Sequence, residues 1–227
     1  MNYEQARFNM IEQQIRPWEV LDSQVLSLLA VVKREDFVPP AMRALAFADM
    51  EIPLGAEPGQ CMLAPKVEAR MLQDLAVQKH EKVLEIGAGS GYMAALLAHR
   101  GQQVITLEID PELAQLARDN LKKAGVYNAE VRTGDGAVKL GKAVSGNDPL
   151  SGPFDVIVLS GSVAEVPPAL LAMLKIGGRL SAVVGFEPVM RATLVTRVGD
   201  AAFSTTQGWD TVAPRLLNFP EPSTFNF

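Results

Sequence analysis

The stretch Glu85-Ile86-Gly87-Ala88-Gly89-Ser90-Gly91-Tyr92-Met93 constrains the fold of this chain more than any other. The apolar run Lys82-Val83-Leu84 precedes it. Met93-Ala94-Ala95-Leu96-Leu97-Ala98, of helix-forming composition with no breaker, follows. The glycines therefore sit where a buried strand turns sharply into a helix, a turn that demands unusual backbone angles and, beside a ligand, no side chain. Their spacing selects the ligand. A dinucleotide fingerprint requires Gly-x-Gly-x-x-Gly, and its third glycine would fall on Tyr92. The chain instead reads Gly87-x-Gly89-x-Gly91, with an acid, Glu85, two residues upstream. A carboxylate in that place repels a pyrophosphate and attracts a cation. S-adenosylmethionine, with an amino acid end, a sulfonium and no phosphate, meets both conditions. Glu85, Gly87, Ala88, Gly89, Ser90 and Gly91 are the candidate contacts.

From residue 82 the pattern alternates strand and helix, as a doubly wound, mostly parallel sheet requires. Val83–Ile86 reads as the first strand and Val104–Leu107 as the second, ending at Glu108. Pro111 suits the first turn of the next helix, which Gly125 closes. A short strand over Ala129–Thr133 leads into Gly134-Asp135-Gly136, and residues 144–153 read as a surface loop. Phe154–Leu159 is a fourth strand. A helix through Leu170, Leu171 and Leu174 then leads to a fifth strand at Leu180–Val184, with strand-like runs at 192–198 and 202–207. Upstream, residues 4–35 look helical, with Phe8, Ile11 and Ile15 on one face, a break at Pro17, and Asp22 as N-cap of a second helix. Residues 41–48 suggest another short helix. Residues 51–65, dense in Pro and Gly, form a loop whose length points to function. The fold expected is α/β, Rossmann-like, with helices on both faces of the sheet and an N-terminal helical extension.

Composition removes several functions. At 227 residues, 48% hydrophobic and 21% charged, the chain has the make-up of a globular domain. A net charge of −5 argues against a general nucleic-acid surface. One cysteine, Cys61, allows no intramolecular disulfide, and His80 and His99 have no metal-ligand spacing, so no metal is expected. No apolar run approaches the roughly 20 residues of a membrane span. The N-terminus lacks the order of a signal peptide, which leaves the cytoplasm as the expected compartment.

Further candidates lie at strand ends. Glu108, about 20 residues past the glycines, is placed to accept hydrogen bonds from vicinal ribose hydroxyls. Asp135 and the Gly136 amide follow the third strand, where they can meet an adenine; a plain Gly-Asp-Gly turn explains them equally well. Ser160 and Ser162 follow the fourth strand and are candidates to line an acceptor site, although serines are common in such turns. Cys61 has no evident activating base and reads as an inert, semi-buried thiol.

These motifs together resemble the protein-L-isoaspartate O-methyltransferase family of class I S-adenosylmethionine-dependent methyltransferases. Leu84–Tyr92 is similar to its cofactor loop, Lys33-Arg34-Glu35-Asp36-Phe37-Val38 to its Pro-Arg-Glu-x-Phe-Val, and Glu51-Ile52-Pro53-Leu54-Gly55 to its Leu-Pro-Ile-Gly. Ala64-Pro65 with Ala69-Arg70-Met71, Gly134-Asp135-Gly136, and Leu174-Lys175-Ile176-Gly177-Gly178-Arg179-Leu180 match further segments, so the resemblance covers about residues 8–186. Val212-Ala213-Pro214-Arg215-Leu216 is loosely similar to a Val-Pro-Leu near the family's end. The resemblance implies a single methyltransferase domain: helices and acceptor loop over 1–78, cofactor core over 79–186, C-terminal strands and tail over 187–227. It adds Gln60, Met62 and Ile109 to the cofactor contacts. It also implies a protein or peptide carrying isoaspartate as partner, with no nucleic acid or membrane. Where the family places a serine at the methyl-acceptor site, this chain has Leu63. Leucine makes no side-chain hydrogen bond, so an apolar Met62–Leu63 pocket for another acceptor, or a non-catalytic cofactor-binding protein, stands as an alternative.

Overall fold

The computed structural model describes residues 2–139 and 149–222. Residues 144–148 of the expected loop, and the tail aromatics Phe225 and Phe227, lie outside them. The chain opens with α1 (Tyr3–Met10), which widens into a π turn over Ile11–Ile15 and tightens to a 3₁₀ turn at Arg16–Trp18, where Pro17 sits. Asp22 caps α2 (Ser23–Val31), its Oδ1 accepting from the Gln24 and Val25 amides at 2.7 and 3.3 Å. The helix expected at 41–48 is a 3₁₀ helix, Pro40–Phe47. Within the loop at 51–65, β1 (Ile52–Pro53) and β2 (Cys61–Met62) pair antiparallel. Then follows α3 (Pro65–Leu75).

The remaining strands form one sheet. They are β3 (Lys82–Ile86), β4 (Gln103–Glu108), β5 (Ala129–Thr133), β6 (Phe154–Val163), β7 (Leu174–Phe186), β8 (Val189–Arg197) and β9 (Phe203–Thr211). Their order is β5-β4-β3-β6-β7-β8-β9, parallel through β7 and antiparallel for the last two pairs. The connecting helices are α4 (Tyr92–Arg100), α5 (Pro111–Lys123), α6 (Gly136–Lys139) and α7 (Pro168–Ala172). The central strands are buried on both faces, so alternate residues feed two apolar layers. Val83, Val104, Val156 and Val158 point into the layer that contains α2 to α5 and the N-terminal turns. Leu84, Ile86, Ile105, Leu107, Ile157 and Leu159 point into a smaller one under α7 and Phe219. Among the described residues no helix is long and apolar enough to cross a membrane.

Two boundaries differ from expectation. Leu174 opens β7 instead of closing the preceding helix, because it pairs with Phe154 and is fully buried in the smaller layer. The fourth strand continues beyond Leu159 to Val163. There Ser162 pairs with Val183 on one side and bridges Arg215 on the other, its amide donating to the Pro214 carbonyl at 2.7 Å and its carbonyl accepting from the Leu216 amide at 2.9 Å. The C-terminal segment thus returns to the parallel sheet just where β3 has ended.

Candidate active site

The chain leaves β3 toward β4 and β5, then crosses back to β6. The loops at the ends of β3 and β6 therefore diverge, and a crevice opens at that switch point. The crevice is a cleft of about 510 Å³. Its lining comes from the ends of four parallel strands, the loop at 51–65 and the C-terminal segment.

The glycine loop forms one wall. Gly87 has φ +93°, and a Cβ there would lie 3.1 Å from Leu216 Cδ2, so a side chain would fill the cleft. Gly91, at φ +84°, leads into α4 and lets the loop approach the Ala117 backbone of α5, which a Cβ would meet at 3.2 Å. Ala88, Ser90 and Gly91 shape this turn without lining the cleft; Ser90 is buried, its carbonyl accepting from Asn120 Nδ2 at 3.0 Å. Tyr92 faces the core, 5.3 Å from the Phe37 ring and 5.2 Å beneath the Arg34 guanidinium.

Four carboxylates follow the strand ends. Glu108 closes β4; its Oε2 accepts from the Gly89 amide at 2.8 Å and its Oε1 from the Asp110 amide at 3.1 Å. Each oxygen keeps a free lone pair. Asp135, after β5, accepts from the Ala137 amide at 2.8 Å and from Asn218 Nδ2 at 2.7 Å. Asp110 caps α5 and also receives Gln60 Nε2 at 2.8 Å, which ties the loop at 51–65 to the start of α5. Glu85 lies deepest, fully buried at the base of the loop. Ser160 Oγ donates to its Oε1 at 2.7 Å, whereas Oε2 has no partner. Burial pushes the Glu85 carboxyl up to about 8, against the opposing pull of Ser160 and of Thr106, which lies near without closing a hydrogen bond.

Of the residues singled out from sequence, Gln60, Gly87, Gly89, Glu108, Ile109, Asp135, Gly136 and Ser160 line the cleft, and Glu85 stands directly behind Ser160. Ser162 is fully buried and its hydroxyl meets Arg215 Nη1 at 3.4 Å. Met62 and Leu63 correct an expectation: both side chains are buried in the larger apolar layer, not turned to the cleft. The Leu63 carbonyl accepts from Arg34 Nη2 at 2.7 Å, and Arg34, wholly buried, also pairs with Glu68. Burial holds Glu68 up near 7 despite that partner. Cys61 does line the cleft, yet burial and the neighbouring Glu51 push its thiol up to about 12. The C-terminal contribution, Arg215, Leu216, Leu217 and Phe219, leaves little sign in the sequence. Its one signal was the loose match at 212–216, since no hydrophobic period marks the segment.

The donor set suits S-adenosylmethionine. Carboxylates stand at successive strand ends, and an unpartnered buried oxygen waits at the glycine loop. Comparison with known proteins agrees. The family model described as protein-L-isoaspartate(D-aspartate) O-methyltransferase matches residues 5–212. A protein-L-isoaspartate O-methyltransferase of Methanoculleus marisnigri is 39% identical over 179 residues, covering 79% of this chain and 77% of the relative. One from Aeropyrum pernix is 39% identical over 202 residues, covering 87% and 74%. A solved protein-L-isoaspartate O-methyltransferase superposes with a TM-score of 0.74 at 22% identity, over 92% of this chain and 65% of that one. A Plasmodium falciparum structure described as a putative member, in complex with S-adenosyl-L-homocysteine, gives 0.71 at 18% identity over 95% and 98%. At those identities the two structures bear on the fold alone.

Proposed function

We infer that this chain, which belongs to the protein-L-isoaspartate(D-aspartate) O-methyltransferase family, methylates the free carboxylate of isoaspartyl residues in damaged protein. It is an S-adenosylmethionine-dependent O-methyltransferase. The observation that carries the site assignment is Glu85, a fully buried carboxyl with an unpartnered oxygen at the base of a glycine cradle. A buried acid in that condition is destabilising unless a cationic ligand uses it.

S-adenosylmethionine supplies an electrophilic methyl on a sulfonium. The chain's residues hold and orient it. Glu108, fixed by the Gly89 and Asp110 amides, offers its remaining lone pairs to two vicinal hydroxyls. Asp135 presents an acceptor to an adenine amino group, and Glu85 with Ser160 faces the amino acid end. The acceptor carboxylate is already ionised near neutral pH, so transfer depends on alignment and removal of water, with no base to abstract a proton. That fits a cleft whose described lining includes no histidine. Leu216, packed against Gly87 and Gly161, closes the cleft from above. Cys61 also lines the cleft, and its raised pKa keeps it a thiol that does not compete as a nucleophile.

The test is transfer of labelled methyl to an isoaspartyl peptide and to the same peptide with ordinary aspartate. Incorporation into the first alone is expected. Calorimetric cofactor binding with no transfer to either peptide would refute the acceptor assignment.

A further inference from the structure

We propose that Arg215 grips the carboxylate of the acceptor, making it a specificity-determining residue supplied by the C-terminal segment. Along the carboxyl edge of the sheet the cleft runs from Asp135 after β5, through Glu108 at β4 and the glycine loop at β3, to Ser160 on β6. Everything charged on that path is acidic. Arg215 is the one cation among the described lining residues, and it stands at the far end. Its backbone bridges Ser162, and its side chain reaches across β6 to the end of β7, where Nη2 donates to the Gly185 carbonyl at 2.9 Å. The Phe186 ring lies 5.2 Å from Cζ and covers one face of the guanidinium. Neighbouring strands are about 4.8 Å apart, so the guanidinium sits about one strand spacing beyond β6, on the side away from the glycine loop. An acceptor carboxylate that enters from this side of the cleft meets the guanidinium before it meets the acids.

The guanidinium is already built to take a carboxylate. It is anchored by Gly185 and Ser162, half-covered by an aromatic ring, and its Nε pairs with Glu221 at 2.9 Å. These contacts use three of the five N–H groups that an arginine carries. Glu221 is about half exposed, so it is a displaceable internal stand-in for an acceptor anion. An anionic acceptor entering a cleft otherwise lined by acids needs this counter-charge.

The proposal rests on the isoaspartyl reading, so binding and turnover are measured separately. The probes are an isoaspartyl peptide and its carboxamide analogue, titrated into the complex with S-adenosylhomocysteine, alongside KM and kcat. In the parent the carboxylate peptide binds about 10- to 100-fold more tightly than the carboxamide. Arg215→Gln erases that preference and raises KM with kcat less affected, Arg215→Lys restores part of it, and Glu221→Gln, by removing the internal competitor, lowers KM. Cofactor affinity stays within about twofold in all three, because the guanidinium lies beyond the cofactor wall. A preference that survives Arg215→Gln, a parent with no preference, or a loss confined to cofactor affinity (the guanidinium then serving the cofactor's own carboxylate) each overturns the proposal. Arg215-dependent carboxylate binding without methyl transfer upholds it and sinks the isoaspartyl activity instead.

Discussion

Replacing Glu85 by Gln tests the cofactor site without a substrate. The unfolded chain loses this proton near the ordinary 4.5, whereas burial keeps it on the folded chain to about 8. Between those values the native state holds more protons than the unfolded state, so stability falls as pH rises through the window. The two pKa values make the cost of Glu85 about 1 kcal/mol at pH 5.5 and about 3 kcal/mol at pH 7. Glutamine keeps an acceptor for Ser160 and buries an amide in place of the unpartnered Oε2, a cost of about 1–3 kcal/mol that does not vary with pH. The slope is therefore the readout. In urea titrations of the ligand-free protein, the stability of Glu85→Gln relative to the parent should improve by about 2 kcal/mol between pH 5.5 and 7. Glu68 titrates in the same window but is common to both proteins, and its repulsion is only a minor cause of the Glu85 shift, so it largely cancels. Cofactor binding runs the other way: an ammonium beside Glu85 favours its ionised form, so the parent releases a proton on binding at pH 7 and the variant does not. Calorimetry in two buffers of different ionisation enthalpy reads that proton. Parallel stability–pH curves, or equal proton release, would refute the buried-acid reasoning.

Three further substitutions probe the frame. Arg34→Met leaves Glu68 buried without its partner and should cost about 3–5 kcal/mol at pH 8 in urea melts, less at pH 5 where Glu68 is protonated. Gly91→Ala combines φ +84° with a Cβ 3.2 Å from the Ala117 backbone, so thermal melts should show a loss of about 1–3 kcal/mol, with weaker cofactor binding. Leu63→Ser removes a side chain that is only 6% exposed and should cost about 2–5 kcal/mol in stability. Because that side chain faces the core, turnover per folded molecule on an isoaspartyl peptide should be unchanged; a large gain would show that position 63 faces the acceptor after all.

What could be read from sequence was local. Glu85, the glycines, Glu108 and Asp135 each combine a strand end with a residue whose chemistry is visible by itself, and strand alternation orders those ends along one edge. The two-sided burial of β3, β4 and β6 was likewise legible in their near-continuous Val, Leu and Ile. The rest depended on distant partners. Ser160–Val163 reads as a turn until Pro214 and Leu216 supply the other side of its ladder. Leu63 looks like a missing hydroxyl until the layer that takes its side chain, and Arg34 on its carbonyl, are in view. The 3₁₀ geometry of Pro40–Phe47 depends on packing as well, since its composition would serve an α-helix equally.

The returning segment also explains why the glycine loop alone does not define the site. Glu57, Glu108, Asp110 and Asp135 line the cleft with carboxylates, which suits a cationic cofactor and opposes an anionic acceptor. A carboxylate can approach the sulfonium only if a positive group stands on the acceptor side, outside the reach of those acids. No residue between Gly87 and Gly161 provides one among those that line the cleft. Pro214–Leu216 does, by adding itself beside β6 beyond the end of β3: Leu216 turns down onto Gly87 and Gly161, while Arg215 turns away toward Gly185. One short stretch of extended chain, alternating its side chains, thus closes the cofactor half of the cleft and charges the acceptor half.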